Sequence, residues 1–182
     1  MVLTIPNILT LLRIALIPLL FVVYFSSLDN AKPIAAIIFI AAAITDWLDG
    51  YLARKLQQSS AFGAFLDPVA DKLIVCIALV LVLYKHPSMF VLVPSLVIIG
   101  REITVSALRE WMAELGRRGK VAVSNLGKLK TTVQMISITL LLWHESILGL
   151  PIYAIGQYLL ALAAVLTVIS MLDYLTAAFA ED

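Results

Sequence analysis

The sequence predicts an all-α polytopic membrane protein, a six-transmembrane-helix bundle with a polar chamber that faces the cytoplasm. Three observations favour this fold. Hydrophobic residues make up 62% of the 182 residues and charged residues only 14%, whereas soluble domains average about 45–50% and about 25%. The mean hydropathy is +1.03. The apolar stretches are continuous rather than alternating, which disfavours a closed barrel of strands.

Six apolar stretches account for the predicted helices, since a helix needs about 20 mostly apolar residues to cross a membrane. They lie near residues 5–26, 33–55, 64–84, 88–112, 127–145 and 150–177. Turn-forming residues separate some of them, as at Asp29-Asn30 and His86-Pro87. No linker or internal repeat interrupts the chain, so we expect a single domain over residues 1–182.

The charge balance and the cysteine content exclude several functional classes. The net charge is only +1, from 13 basic and 12 acidic residues, so no overall field attracts a nucleic acid. One cysteine, Cys76, excludes an intrachain disulfide and a zinc site built from cysteines. The composition therefore argues against a soluble enzyme, a disordered chain and a nucleic-acid-binding protein.

The distribution of basic residues predicts the orientation of the chain in the membrane. Arg54 and Lys55 end the second apolar stretch, whereas the loops on the opposite side carry only Lys32 and Lys85. Most of the other basic residues lie from the end of the fourth stretch to the start of the fifth: Arg109, Arg117, Arg118, Lys120, Lys128 and Lys130. Because basic loops stay inside, we expect both termini and this segment to face the cytoplasm.

Charged residues of several helices occur at one depth in the predicted bundle. Residues 33–45 form an uncharged run of about 13 residues, or about 20 Å of helix, before Asp46. Runs of similar length, counted from the outer ends of the helices, precede Asp71, Arg101 and Lys130. An ionised residue at mid-membrane costs about 2.5–3.5 kcal/mol on insertion scales. These side chains must therefore face one another, a cation or a water-filled chamber.

Four of these charges are carboxylates that form two pairs. Asp46 and Asp49 share one helix face at i, i+3, and Asp67 and Asp71 share another at i, i+4. Pro68 indicates that Asp67 lies at a helix start or at a kink. Mg²⁺ or Mn²⁺ would neutralise the carboxylates, and two such ions suit phosphoryl transfer. The alternatives are a structural cation site or ion pairs with Arg54, Lys72 and Arg101.

The carboxylates belong to a longer pattern, DxxDGxxARx8GxxxDxxxD. It consists of Asp46, Asp49, Gly50, Ala53, Arg54, Gly63, Asp67 and Asp71. This pattern resembles the signature of the CDP-alcohol phosphotransferase family at every defined position. Three further segments, near residues 5–13, 101–110 and 127–131, are similar to the bacterial branch of that family in which the acceptor is sn-glycerol 3-phosphate.

The resemblance implies a homodimer of six-helix chains in the bacterial inner membrane, with the active site at the cytoplasmic face. It also implies the reaction, in which sn-glycerol 3-phosphate attacks the β-phosphorus of CDP-diacylglycerol and CMP leaves. Asp46, Asp49, Asp67 and Asp71 would hold two Mg²⁺ or Mn²⁺ ions. Asp71 would also act as the general base.

By the same resemblance, several residues would bind CDP-diacylglycerol: Asp49, Gly50, Ala53, Arg54, Ser60 and Gly63. Asn7, Thr10 and Arg13 of the first helix would cap this pocket. The alternative is that these three residues only anchor the first helix at the membrane interface.

The phosphate of the acceptor needs basic partners, because glycerol 3-phosphate is a dianion. Arg101, Lys128 and Lys130 lie at the depth of the carboxylates, and Arg109 lies about two turns further out. The alternative is that these charges only set the topology. Three other residues would attract anionic lipid headgroups: Arg117, Arg118 and Lys120.

Other functions compete with this interpretation. A transferase of the same family could use inositol phosphate, serine or phosphatidylglycerol, although a cationic chamber argues against serine. An intramembrane prenyltransferase also uses aspartates and Mg²⁺, but the glycines and Ala53-Arg54 between the carboxylates disfavour it. A divalent-cation transporter would need a polar path, whereas the outer parts of helices two to five are apolar for about 18–20 Å. A purely structural membrane protein is the remaining alternative.

Overall fold

The computed structural model describes residues 4–56, 61–116 and 125–179. Within these ranges the regular structure is helical, and each helix begins and ends within about three residues of the sequence prediction. The all-α prediction is therefore confirmed. The helices are α1 (Ile5–Phe25), α2 (Ala31–Leu56), α3 (Ala61–Lys85), α4 (Met89–Glu114), α5 (Asn125–Trp143) and α6 (Ile152–Phe179).

Among the residues that the structure describes, four helical segments are long and apolar enough to span a membrane: Ile5–Phe25, Ala31–Leu52, Met89–Glu114 and Ile152–Thr176. Their mean hydropathy ranges from 1.6 to 2.4. The apolar part of α5 is shorter, and α3 carries charged residues near both of its ends. The chain is thus a polytopic membrane protein, as predicted. That it has six membrane-spanning helices and a chamber facing the cytoplasm stays a prediction.

Capping residues define the starts of two helices. Thr4 precedes α1 and accepts a hydrogen bond from the backbone N–H of Asn7 at 3.5 Å. Ser88 precedes α4 and accepts one from the N–H of Phe90 at 3.2 Å. Both side chains satisfy backbone donors that have no partner within the first helical turn.

Pro68 lies inside α3, which begins at Ala61. Of the two alternatives for Asp67, a helix start is therefore wrong, and a kink at Pro68 stays a prediction. The proline is preceded by two turns of helix, so Asp67 projects from a continuous helical segment on the same face as Asp71.

Contacts between Cα atoms divide the chain into two compact units. The first unit comprises Met1–Lys85 and Ile138–Tyr153. Its fully buried residues include Leu20 and Tyr24 of α1 and Ala35, Phe39 and Ala42 of α2. Alanines on the buried face of α2 allow the backbones of packed helices to approach closely, as is common in membrane proteins.

The second unit comprises His86–Ser137 and Ala154–Asp182. Val105, Leu108 and Met112 of α4 form an apolar cluster with Tyr174 of α6. The Ser137 hydroxyl donates a hydrogen bond to the carbonyl oxygen of Gly156 at 2.8 Å. Together these contacts join three helices of the unit. The prediction of a single domain over the whole chain stays a prediction.

Ala42→Leu should destabilise the protein by about 1–3 kcal/mol, because the buried face of α2 has no room for three more carbon atoms. Thermal unfolding in detergent micelles would measure the effect. Ala107→Leu is the matched control, since Ala107 is exposed on α4. Equal loss of stability in both variants would contradict close packing at Ala42.

Candidate active site

A buried arginine of α1 lies at the centre of a polar site in the first unit. The Arg13 side chain is only 1% exposed. Its Nη2 atom lies 3.2 Å from Oδ1 of Asp46 and also contacts Oδ2 of Asp49, both on α2. Its Nη1 atom contacts Oδ1 of Asp71 on α3. One cation therefore joins the carboxylates of two other helices.

The fourth motif carboxylate, that of Asp67, also contacts α1. The Thr10 hydroxyl donates a hydrogen bond to Oδ1 of Asp67, and its oxygen lies 3.1 Å from the carbonyl oxygen of Pro6. Thr10 and Arg13 are three residues apart and so lie on the same face of α1. The two side chains of this face thus hold all four motif aspartates.

The carboxylates differ in their access to a ligand. The side chain of Asp49 is buried, whereas those of Asp46 and Asp71 are 50% and 45% exposed. Each ionised carboxylate can accept about four hydrogen bonds or metal bonds. Asp46 and Asp71 therefore keep oxygen lone pairs available to a substrate or ion, while Asp49 anchors Arg13.

The site provides the donor atoms that a hard divalent cation prefers. Mg²⁺ and Mn²⁺ bind carboxylate oxygens, often together with phosphate oxygens of a substrate. Among the described residues, no three His, Cys, Asp or Glu side chains stand arranged for a metal ion. Arg13 contacts Asp46, Asp49 and Asp71 instead. The donors fit such a cation chemically, and Arg13 holds the position of a counter-charge to three of them.

The sequence correctly indicated that the four aspartates lie together, but it did not single out their counter-ion. Arg13 and Thr10 were predicted to cap a lipid pocket or to anchor α1. The structure places both in contact with the motif carboxylates, and Asn7 is buried on the same face. The sequence did contain an indication of these contacts. The spacing of Asn7, Thr10 and Arg13 puts three polar residues on one side of an otherwise apolar helix.

Several predicted site residues contribute no described side-chain contact. Gly50 and Gly63 lie in α2 and α3, half-buried and buried respectively. Ala53 and Arg54 lie in α2 and Lys128 in α5, but their side chains are outside the described residues. Four predicted positions fall wholly outside the described part of the chain: Ser60, Arg117, Arg118 and Lys120.

The second unit contains a buried polar cluster of its own. Lys130 of α5 donates to Oε1 of Glu102 at 2.7 Å, and Nη1 of Arg101 donates to the same oxygen at 3.2 Å. Nη2 of Arg101 also donates to the hydroxyl of Ser170 on α6 at 3.2 Å. Arg101 and Lys130, which were both predicted to bind the acceptor phosphate, therefore contact the same carboxylate. That carboxylate, Glu102, was not among the predicted site residues.

Tyr174 of α6 extends this cluster towards Arg109. Its hydroxyl accepts a hydrogen bond from Nη2 of Arg109 at 3.0 Å. The guanidinium carbons of Arg109 and Arg101 lie 5.2 and 5.5 Å from the centre of the Tyr174 ring, within the range of cation–π attraction. Tyr174 thus links Arg109 to Arg101. We call Arg101, Glu102, Arg109, Lys130, Ser170 and Tyr174 the basic cluster.

Residues 3–169 match the CDP-alcohol phosphatidyltransferase family. The chain belongs to this family. The match covers the motif aspartates, Arg13 and the α4 and α5 residues of the basic cluster. The resemblance inferred from the motif is therefore confirmed, and the four aspartates that Arg13 and Thr10 hold are those of the family pattern.

Curated relatives of this CDP-alcohol phosphatidyltransferase family member carry a common name, CDP-diacylglycerol–glycerol-3-phosphate 3-phosphatidyltransferase. The relative from Salmonella choleraesuis (strain SC-B67) is 54% identical over 174 residues, which are 96% of this chain and 94% of the relative. Those from Shigella flexneri serotype 5b (strain 8401) and Escherichia coli (strain K12) are each 52% identical over 177 residues, 97% of this chain and 96% of the relative.

In this family member, Arg13→Ala should lower stability strongly in the absence of divalent ions. Removing one partner of a buried ion pair costs about 3–5 kcal/mol, because the remaining charges stay buried and repel one another. Mg²⁺ should restore part of the loss by neutralising the same carboxylates. Thermal unfolding in detergent with EDTA or Mg²⁺ measures both effects.

Lys32→Ala is the matched control for this experiment, since it removes a cation at the opposite end of α2. Equal destabilisation in the two variants would argue against a central role for Arg13. An Mg²⁺ effect of the same size in the wild type and the Arg13 variant would argue against a shared site.

Proposed function

We propose that this chain transfers the phosphatidyl group of CDP-diacylglycerol to sn-glycerol 3-phosphate, which yields phosphatidylglycerophosphate and CMP. This reaction is the first committed step towards phosphatidylglycerol. One observation carries the proposal: the complete family motif, with its four aspartates in contact with Thr10 and Arg13 of α1, occurs in a chain 52–54% identical to relatives of that name.

The membrane setting suits the substrates. CDP-diacylglycerol has two fatty chains and a charged diphosphate, so its reacting phosphorus lies at headgroup depth. The excess of basic residues near the C-terminal end of α4 and in α5 supports a cytoplasmic active site in a bacterial inner membrane. We further propose that the chain works as a homodimer among membrane lipids, as the resemblance implies.

The four aspartates serve the diphosphate end of the donor. In the proposed active form, Asp46, Asp49, Asp67 and Asp71 hold divalent metal, and we propose two ions of Mg²⁺ or Mn²⁺. Bound metal would neutralise negative charge on the diphosphate and on the departing CMP. Thr10 orients Asp67 through its hydroxyl.

Asp71 is proposed as the general base. A bond forms between the acceptor hydroxyl oxygen and the β-phosphorus, while the bond from that phosphorus to the bridging oxygen of CMP breaks. Asp71 takes the hydroxyl proton. Because a carboxylate is a weak base towards an alcohol, the proton moves late, after the new bond has begun to form. The half-exposed side chain of Asp71 is open to such an acceptor.

The motif residues between the aspartates are proposed to bind the rest of CDP-diacylglycerol. Gly50, Ala53 and Gly63 leave space near the carboxylates for the nucleotide, and Arg54 pairs with its phosphates. Ser60 is proposed to line the same pocket, with Asn7 near its α1 side. For Thr10, the contact with Asp67 favours a positioning role rather than direct binding.

The basic cluster is proposed to bind the phosphate of the acceptor. Arg101 and Lys130 are buried cations that project from two helices towards one point, which suits a dianion held from two sides. Arg109, and Lys128 two residues before Lys130 in α5, would add positive charge. Serine, a zwitterion with no phosphate group, would not supply the dianion that these cations suit.

Asp71→Asn should abolish turnover and leave CDP-diacylglycerol binding intact, because the amide cannot take the acceptor proton. CMP release by the purified protein in detergent, with Mg²⁺ and glycerol 3-phosphate, measures turnover. Asp29→Asn is the control, since Asp29 lies in an exposed loop. Activity in the Asp71→Asn variant would exclude Asp71 as the base, and CMP release that survives chelation would exclude the metal.

Lys130→Met should raise the KM for glycerol 3-phosphate by about tenfold or more, equivalent to about 1.4 kcal/mol of lost phosphate binding. The KM for CDP-diacylglycerol should change much less. Steady-state kinetics with each substrate varied in turn separates the two effects, and Lys32→Met is the control. Release of CMP with inositol phosphate or serine in place of glycerol 3-phosphate would keep the family chemistry and overturn the proposed acceptor.

A further inference from the structure

We propose that Glu102 is an internal anion that occupies the acceptor's phosphate position on Arg101 and Lys130 and gives it up when a phosphate dianion binds. Glu102 would thereby exclude acceptors that carry less negative charge. This inference rests on the acceptor role proposed above for Arg101 and Lys130.

The geometry shows a carboxylate oxygen in the position that an anionic ligand would take. A single oxygen, Oε1 of Glu102, lies 2.7 Å from Nζ of Lys130 and 3.2 Å from Nη1 of Arg101. Arginine and lysine bind carboxylate and phosphate oxygens in the same way and at similar distances. A phosphate oxygen placed between these two cations would therefore coincide with Oε1.

Burial explains why an anion must occupy this position. Lys130 and Arg101 are each more than nine-tenths buried. Two buried cations without an anion between them would repel each other and lose their hydration, which is strongly unfavourable. Glu102 is the most exposed of the three, at 20%, so its side chain can turn outwards when another anion arrives.

The donors of Arg101 show that Glu102 does not use the site completely. Within the described part of the chain, the buried Nε atom of Arg101 has no hydrogen-bond partner. One of its terminal nitrogens contacts Glu102 and the other contacts Ser170. A phosphate has three terminal oxygens and up to two negative charges, so it can satisfy more of these donors than one carboxylate oxygen does.

The exchange gives Glu102 a role in specificity. A dianion gains more from two cations than the monoanionic carboxylate does, so it can displace Glu102. A neutral or singly charged acceptor cannot compete equally well. The substitution Glu102→Gln would remove the internal anion, and the cation pair should then attract all anions more strongly.

The test is a titration of Glu102→Gln with inorganic phosphate, followed by the thermal unfolding midpoint of the full-length protein in detergent at constant ionic strength. Without phosphate, the variant should unfold at a lower temperature than the wild type. With phosphate, it should show an apparent Kd about tenfold lower. Glu110→Gln is the matched control, since Glu110 is exposed on the same helix. Unchanged or weaker phosphate binding in Glu102→Gln would overturn the proposal.

A second variant keeps the test decisive if Glu102→Gln does not fold. Glu102→Asp retains the charge but shortens the reach by one methylene, so its carboxylate should compete less well. Phosphate binding to Glu102→Asp should be tighter than to the wild type. Equal or weaker binding to this variant would also overturn the proposal.

The exchange at Glu102 and the acceptor site itself can be tested separately. If phosphate stabilises the wild type, and Lys130→Met abolishes this effect, the cations bind phosphate. A normal affinity in Glu102→Gln would then overturn the exchange alone. If phosphate stabilises neither protein, and Lys130→Met keeps a normal KM for glycerol 3-phosphate, the acceptor site itself is wrong and the exchange falls with it.

Discussion

The energetic cost of charge in a membrane is the constraint on which the rest of this structure depends. A single ionised side chain at the bilayer centre costs about 2.5–3.5 kcal/mol on insertion scales. Arg13 and the motif aspartates therefore satisfy one another across α1, α2 and α3. The aspartates of the family motif are also residues that join these helices, so the candidate site and the packing of the first unit share the same contacts.

The same constraint shapes the basic cluster of the second unit. Arg101 and Lys130 are balanced by Glu102, and Tyr174 contacts both Arg101 and Arg109. The two contacts with Glu102 are of a kind that a phosphate ligand also makes with arginine and lysine.

Much of the site could be predicted from the sequence, because its residues lie close together in the chain. Asp46 and Asp49, or Asp67 and Asp71, share a helix face by spacing alone. Contacts between distant segments were harder to predict. Arg13 is 33 residues from Asp46 in sequence, so no local spacing indicates that they meet. Arg101 could be predicted as a phosphate-binding residue from its charge, but the adjacent Glu102 has no pattern that marks it as a partner of both Arg101 and Lys130. Helical periodicity reveals a polar face but not the helix that it meets.

The sequence by itself determined that this chain is an all-α membrane protein of the CDP-alcohol phosphatidyltransferase family with two pairs of carboxylates that each share a helix face. Composition, apolar length and motif spacing are local properties, and they suffice for these conclusions. Only the tertiary structure decided that Arg13 and Thr10 gather the carboxylates and that Glu102 joins Arg101 to Lys130. Those pairings depend on how each helix is rotated and shifted against its neighbours, and packing sets both.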